Sequence, residues 1–276
     1  MGAGEAGTEP VKVRPDQRSR RGWRAALAGL TLLGLISVDW GRQGASSAFN
    51  LARPDLARPG ESADPTTFSP LELQELQRRF GVHGPQPRLA RLFTRGMDQL
   101  TPLRNHTVNR LQELRPVVLR ESRRTGVNPM LLAAILFDEM QHAKPGEDLP
   151  IAAHSGLFTT HGPAQLGLSE MVKQGLLREN ASPAELEAAR DQLLDPDRNV
   201  ALLAGKMARL LSLLDRTPGA TDNVSGSRHH AKTVATLAYL HNGKLDYPAR
   251  ILGYMQDPEL HALIYGERRV TLSPLI

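Results

Sequence analysis

Residues 128–142, NPMLLAAILFDEMQH, read as a helix that is apolar over most of its length and then admits two acids. Asn128 is a good N-cap, and Pro129 fits the first helical position, where a missing N–H costs nothing. Gly126, just upstream, marks the C-terminal stop of a preceding helix, RPVVLRESRRTG. At about 100° per residue, Leu132, Ile135, Leu136 and Glu139 fall within one stripe. Asp138 projects away from that stripe and is expected to meet water. Glu139 is therefore expected to be partly desolvated, which disfavours its charged form and raises its pKa. A glutamic acid still protonated near neutrality can serve as a general acid. The plainer alternative is that Glu139 pairs with an arginine or caps a neighbouring helix.

Outward from this segment the pattern stays helical. SPLELQELQRRFG, 69–81, has Ser69 as cap, Pro70 at the first position, Glu72 three residues after the cap and a glycine stop. Shorter candidates lie at 86–96, 102–114 and 115–125. A polar stretch without a clean period follows Glu139, a loop or short irregular hairpin that ends near HGPAQLG, 161–167. LSEMVKQGLL is helical, and SPAELEAARDQLL repeats the Ser-Pro-x-Glu cap at Ser182 and Glu185. DPDRNVALLAGKMARLLSLLD reads as the longest amphipathic helix, with Val200, Leu203, Ala204, Met207, Leu210, Leu211 and Leu214 on one face. RHHAKTVATLAYLHNG and YPARILGYMQ complete the helical set, and YGERRVTLSPLI is poorly patterned. The expected class is mainly α, with any sheet confined to 143–162. Aromatics make up only 4% of the 276 residues, so the core must rest on Leu, Ala, Val and Met.

The N-terminus carries its own signal. Residues 1–22 are polar and basic, and 23–40 contain an apolar run from Ala25 to Val38. That run is short for a membrane span of ~20 residues and suits a signal-peptide core. SRRGW resembles a twin-arginine export signal, and the small residues of GASSAFN permit cleavage after Ala45 or Ala48. An uncleaved anchor, with Trp23 and Trp40 at the two interfaces, is the alternative. Either way the bulk of the chain is expected outside the cytoplasm, in the envelope or periplasm. Residues 41–67, rich in Pro, Gly, Ser and Ala, form a linker.

Composition excludes some chemistry. There is no cysteine, so disulfides, thiolate metal sites and cysteine nucleophiles are ruled out. No phosphate-binding glycine loop occurs, and no histidines stand at helical metal-ligand spacing. Glu139 and His142 form Glu-x-x-His without the second copy that a di-iron bundle needs. No metal or cofactor is expected. The net charge of +5 favours an anionic partner without choosing among them, and export makes nucleic acid an improbable one.

Three stretches, taken in order, bear a family resemblance. TGVNPMLLAAILFDE, HGPAQLGLSEMV and LLDPDRNVALLAGKMARLL resemble the catalytic-helix entry, the Gly-x-x-Gln segment and the Asp-Pro-x-x-Asn segment of the soluble lytic transglycosylases. AYLHNGK is similar to that group's Ala-Tyr-Asn-x-Gly segment in weakened form, with His241 where Tyr is usual. The resemblance implies a lysozyme-like helical domain over 115–276, preceded by a helical extension at 68–114. It implies Glu139 as the catalytic acid/base, with Gln165 and Gly162 beside it and Asn242, Tyr239 and His241 holding sugar. It also implies a peptidoglycan substrate cut between N-acetylmuramic acid and N-acetylglucosamine, with closure of a 1,6-anhydro ring. One carboxylate then suffices, because the muramic 6-hydroxyl is the nucleophile; an ordinary glycosidase needs a second, for which Glu147 and Asp148 are the candidates. Two other outcomes remain open: a silent glycan-binding or scaffold protein of the same fold, and a helical envelope adaptor with no cleft.

Overall fold

The computed structural model describes residues 63–81 and 101–266, apart from 145, 147, 148, 156, 157, 218 and 223. The segments expected at 1–22, 23–40 and 86–96, almost all of the 41–67 linker, and Glu147 and Asp148 lie outside the described residues. Within them the chain is mainly helical, as expected, and has no strand; an isolated antiparallel bridge joins His161 to Leu166. No described helix is long and apolar enough to cross a membrane.

The opening segment becomes α3, Pro129–Gln141, once α1, Pro70–Phe80, and α2, Thr101–Thr125, have been laid down. Asn128 Oδ1 accepts the Met130 N–H at 2.7 Å, so the predicted cap is made. Ten residues of α3 are buried, on every side of the helix. Helices α2 and α7 (Pro196–Leu213), together with α9 (Tyr247–Tyr254) and α10 (Pro258–Tyr265), all pack on it. This surrounds α3 with protein and makes it the axis of the core. Leucines, alanines, valines and methionines fill that core, as the scarcity of aromatics required.

Helix α2 departs from the expectation of two short helices meeting at residue 114. It runs unbroken for 25 residues with Pro116 inside, and it, rather than α7, is the longest helix described. An interior proline costs about 3 kcal/mol. Leu111, Leu114, Val117 and Val118 are all buried on one face of α2, and each contributes roughly 1.5–3 kcal/mol on burial, enough to offset the proline.

The loop after α3 folds into a five-residue helix, α4 (Pro150–His154), and the turn closed by the 161–166 bridge. Helices α5 (Leu168–Lys173) and α6 (Pro183–Leu194) follow, and both predicted capping boxes, at Ser69 and Ser182, are present. Helix α8, Arg228–Asn242, begins at the Ser227 cap. The poorly patterned tail lies outside the described residues from 267 onward, and just ahead of it stands α10, which periodicity did not reveal. Its signal lay in punctuation instead: Asp257 caps the Glu259 and Leu260 N–H groups, Pro258 takes the first position, and Gly266 follows the end.

The segment 63–80 is not loosely attached. Lys232 on α8 is 1% exposed, and its ammonium donates to the Thr67 carbonyl at 2.8 Å and pairs with Glu72 at 3.1 Å. The Phe68 ring lies against Tyr239, 5.3 Å between centroids.

Candidate active site

Helix geometry decides which acid meets the cavity, and it reverses the sequence expectation. Asp138 was expected in water; its side chain is 2% exposed and held by Arg250 of α9 in a bidentate pair at 2.8 and 3.1 Å. Glu139, 12% exposed, is the more open of the two. The wheel assumed a solvent face on α3, and α9 occupies that face. The arginine expected by the plainer reading is present, but it belongs to Asp138.

Glu139 sits in the wall of a cavity of about 300 Å³ together with Gln165, His241 and Asn242. His142, Thr160, Lys144, Lys244, Asp138 and Arg250 complete the lining, which is predominantly polar. Three donors converge on one carboxylate oxygen, Oε1. Tyr247 O–H donates at 2.8 Å, Asn242 Nδ2 at 3.2 Å, and His241 Nε2 lies at 3.2 Å. None of these three contacts falls on Oε2. Burial alone would push the Glu139 carboxyl up, but His241, through its hydrogen bond and through its charge when protonated, and then the Tyr247 and Asn242 hydrogen bonds outweigh it and hold the group well below the usual carboxylate range. The expectation of a raised pKa is thereby corrected: the desolvation is real, and the convergent donors overcome it.

Tyr239 does not join the cluster. Two residues before His241 on the same helix, it points roughly 200° away, into the core against Phe68. Tyr247 at the start of α9 reaches Glu139 instead, fully buried and stacked at 5.9 Å on the His241 ring. Its hydroxyl is pushed well above its ordinary value by burial and by the Glu139 charge. Sequence reasoning missed Tyr247 because it lies beyond the matched segment. The usable signal was Asp246-Tyr247-Pro248, a helix start just after the Gly243 stop.

Gln165 reaches the lining from a tight turn that opens at Gly162, which is not itself part of the lining. Both have positive φ, 74° at Gly162 and 46° at Gln165. A Cβ on Gly162 would collide with the Leu193 carbonyl and the Asn199 amide, so this glycine is required by packing and does not itself offer a group to a ligand. Gln165 lines the cavity while its amide donates to the Gly162 carbonyl at 3.1 Å and accepts from Thr160 Oγ1 at 3.0 Å. Asn199 staples the turn from α7: Nδ2 donates to the His161 and Leu193 carbonyls at 3.0 and 2.9 Å, and Oδ1 accepts the Ala164 N–H at 2.8 Å. The Asp-Pro-x-x-Asn stretch thus has a local meaning. Asp195 caps α7, Pro196 opens it, and Asn199 holds the Gly-x-x-Gln turn beside Glu139.

A further chain leads away from the cavity. Lys206 Nζ on α7 lies 3.1 Å from His241 Nδ1 and donates to the His241 carbonyl at 3.2 Å. Burial pulls its ammonium down to about 8. Among the described residues, no three histidine or carboxylate side chains come together as ligands for a metal ion.

The chain was compared with family models, with curated proteins and with solved structures, and none of the three gave a match.

Proposed function

We propose that the chain cleaves peptidoglycan glycan strands as a lytic transglycosylase, on a lysozyme-like helical domain, with Glu139 as its one working carboxylate. The observation that carries this reading is the contrast between the two acids of α3. Glu139 opens onto a polar cavity, while Asp138 is tied to Arg250 and has no freedom to act as a second carboxylate. Among the described residues that line the cavity Glu139 is the one available acid, which suits chemistry in which the substrate supplies the nucleophile.

Protonated on Oε2, Glu139 gives its proton to the glycosidic oxygen as the C1–O bond breaks. The carboxylate left behind is the form that the Tyr247, Asn242 and His241 donors stabilise. It then takes the proton of the muramic 6-hydroxyl, whose oxygen closes onto C1. A low pKa makes Glu139 a strong donor and its protonated form scarce at neutrality. Activity is therefore expected to rise as the pH falls from neutrality toward the acid range. The test is digestion of purified sacculi by the wild type and by Glu139→Gln, with product masses read out. Anhydro-muropeptides from the first and essentially none from the second are expected; equal products from both would remove Glu139 from the mechanism.

The second reading, a silent glycan-binding or envelope scaffold protein, draws on the same cluster. Donors that hold the carboxylate ionised also suit a side chain that binds and never protonates a leaving group. Sacculus binding that survives Glu139→Gln, with no anhydro product from the wild type at any pH, would favour it. Export, expected from residues 1–40, would bring either form of the protein to the wall.

A further inference from the structure

The Glu139–His241–Lys206 chain contains an arrangement that the glycan reading alone does not require. His241 presents Nε2 to Glu139 at 3.2 Å and Nδ1 to Lys206 at 3.1 Å, and its ring is 3% exposed. An ammonium has three protons to donate and no lone pair. Against Lys206, then, Nδ1 can only accept, and the imidazole proton must sit on Nε2, pointing at Glu139. A second proton on the ring would place two donors and two positive charges against each other at the Nδ1–Nζ contact.

We propose that Lys206 is a positioning residue that denies His241 a second proton, so that the ring stays a neutral Nε2–H donor to Glu139. This rests on the reading of Glu139 as acid and base. Imidazole is ordinarily the stronger base of the two, with a reference pKa near 6.5 against about 4.3 for glutamate. A histidine free to titrate beside Glu139 would take the proton and leave a carboxylate–imidazolium pair with nothing to donate to a glycosidic oxygen. The contact with Lys206 removes that competitor. Burial, and then the Lys206 charge, lower the His241 pKa in the same direction.

The other charges facing these groups do not cancel the effect. His241 faces Glu139 and Asp138 from α3, Lys206 from α7 and the neutral Tyr247 from α9. Glu139 is the group whose proton is at issue, and Asp138 is neutralised by Arg250. Lys206 feels Glu139, Glu170 and Lys173 from α3 and α5, and Arg209 from its own helix. Glu170 is itself bound by Arg209 at 2.9 Å through both oxygens. The ammonium thus remains the charge in direct contact with Nδ1.

The test is ¹⁵N NMR of the histidine rings in the full chain, with the His241 signals assigned by their loss in His241→Gln. The wild type at pH 7 should show a neutral ring protonated on Nε2. In Lys206→Met, and in Lys206→Gln as a second neutral replacement, the His241 midpoint should rise by at least about one unit, a tenfold change in proton affinity. Lys206→Arg should restore the wild-type midpoint. An imidazolium or an Nδ1–H ring in the wild type at pH 7 overturns the proposal without any variant. An unchanged midpoint in a folded neutral variant overturns it too. If sacculi are cleaved, the neutral variants should lose at least about tenfold in kcat with little change in KM, a split that a role in substrate binding would not give. If the wild type never cleaves, the glycan reading fails, while the ring titration still decides the role of Lys206.

Discussion

Two lysines turn inward in this domain, and their surroundings differ in a way that separates architecture from chemistry. Lys232 meets a carboxylate, a carbonyl and an aromatic face together: Glu72 at 3.1 Å, the Thr67 oxygen at 2.8 Å and the Phe68 ring at 4.0 Å. Lys206 contacts a ring nitrogen and a carbonyl oxygen of one histidine, and its nearest carboxylates act from farther off. A charge neutralised at contact stays charged and fastens two pieces of protein together. A charge stabilised only by neutral dipoles is poised to titrate, and its proton becomes linked to its neighbours. Charged groups that serve a reaction are found in the second kind of setting far more than in the first.

The sharpest way to break the comparison is at the first lysine. Glu72→Ala leaves the Lys232 ammonium buried without its carboxylate, and loss of one partner of a buried pair costs about 3–5 kcal/mol. A large drop in thermal midpoint is expected, with the His241 ring titration unchanged in protein that remains folded. A drop of only a degree or two would mean that the 63–80 segment is a surface attachment.

Tyr247→Phe tests the cavity from the other side. It removes one of three donors to Glu139 Oε1, a hydrogen bond to a charged group worth about 1.5–3 kcal/mol. With one donor gone the Glu139 pKa must rise, so the limb of the pH–activity profile that it controls should move to higher pH. A profile that does not move would show that Tyr247 is only packing.

The smallest effect is a difference of slopes. The folded-state pKa of Lys206 lies near 8, below the ordinary 10.5, so between those values the unfolded chain binds more protons. Stability from this group must therefore increase with pH over that window, by no more than about 1.4 kcal/mol per pH unit for one proton. The rise should be weaker in Lys206→Met when melting is followed from pH 8 to 10.5. Identical slopes would mean that the lysine keeps its ordinary affinity for protons.

What the sequence disclosed follows from what is local. Caps, prolines and glycine stops located α1, α3 and α6 because those signals act within a few residues, an apolar face located α7, and the resemblance picked out Glu139, Gln165, His241 and Asn242, which all line one cavity. The errors arose where a third element intervened. Asp138 lost its expected water to Arg250, which is 112 positions further along the chain. Tyr239 gave way to Tyr247 because a helix wheel fixes where a side chain points but not which neighbour is there to receive it. The carboxyl of Glu139 was expected to be raised, since burial can be read from a stripe of leucines, whereas three converging donors from the end of α8 and the start of α9 cannot.

Helix α2 passes through residue 115 without a break, and α1 is fastened to α8 by a buried cation. Anyone who excises a fragment at the point where the family-like segments begin would start in mid-helix and strip Lys232 of its Thr67 and Glu72 partners. The shortest piece worth expressing therefore begins ahead of Asp64, and an insoluble product from a later start would reflect the choice of scissors, with no bearing on what the cavity does.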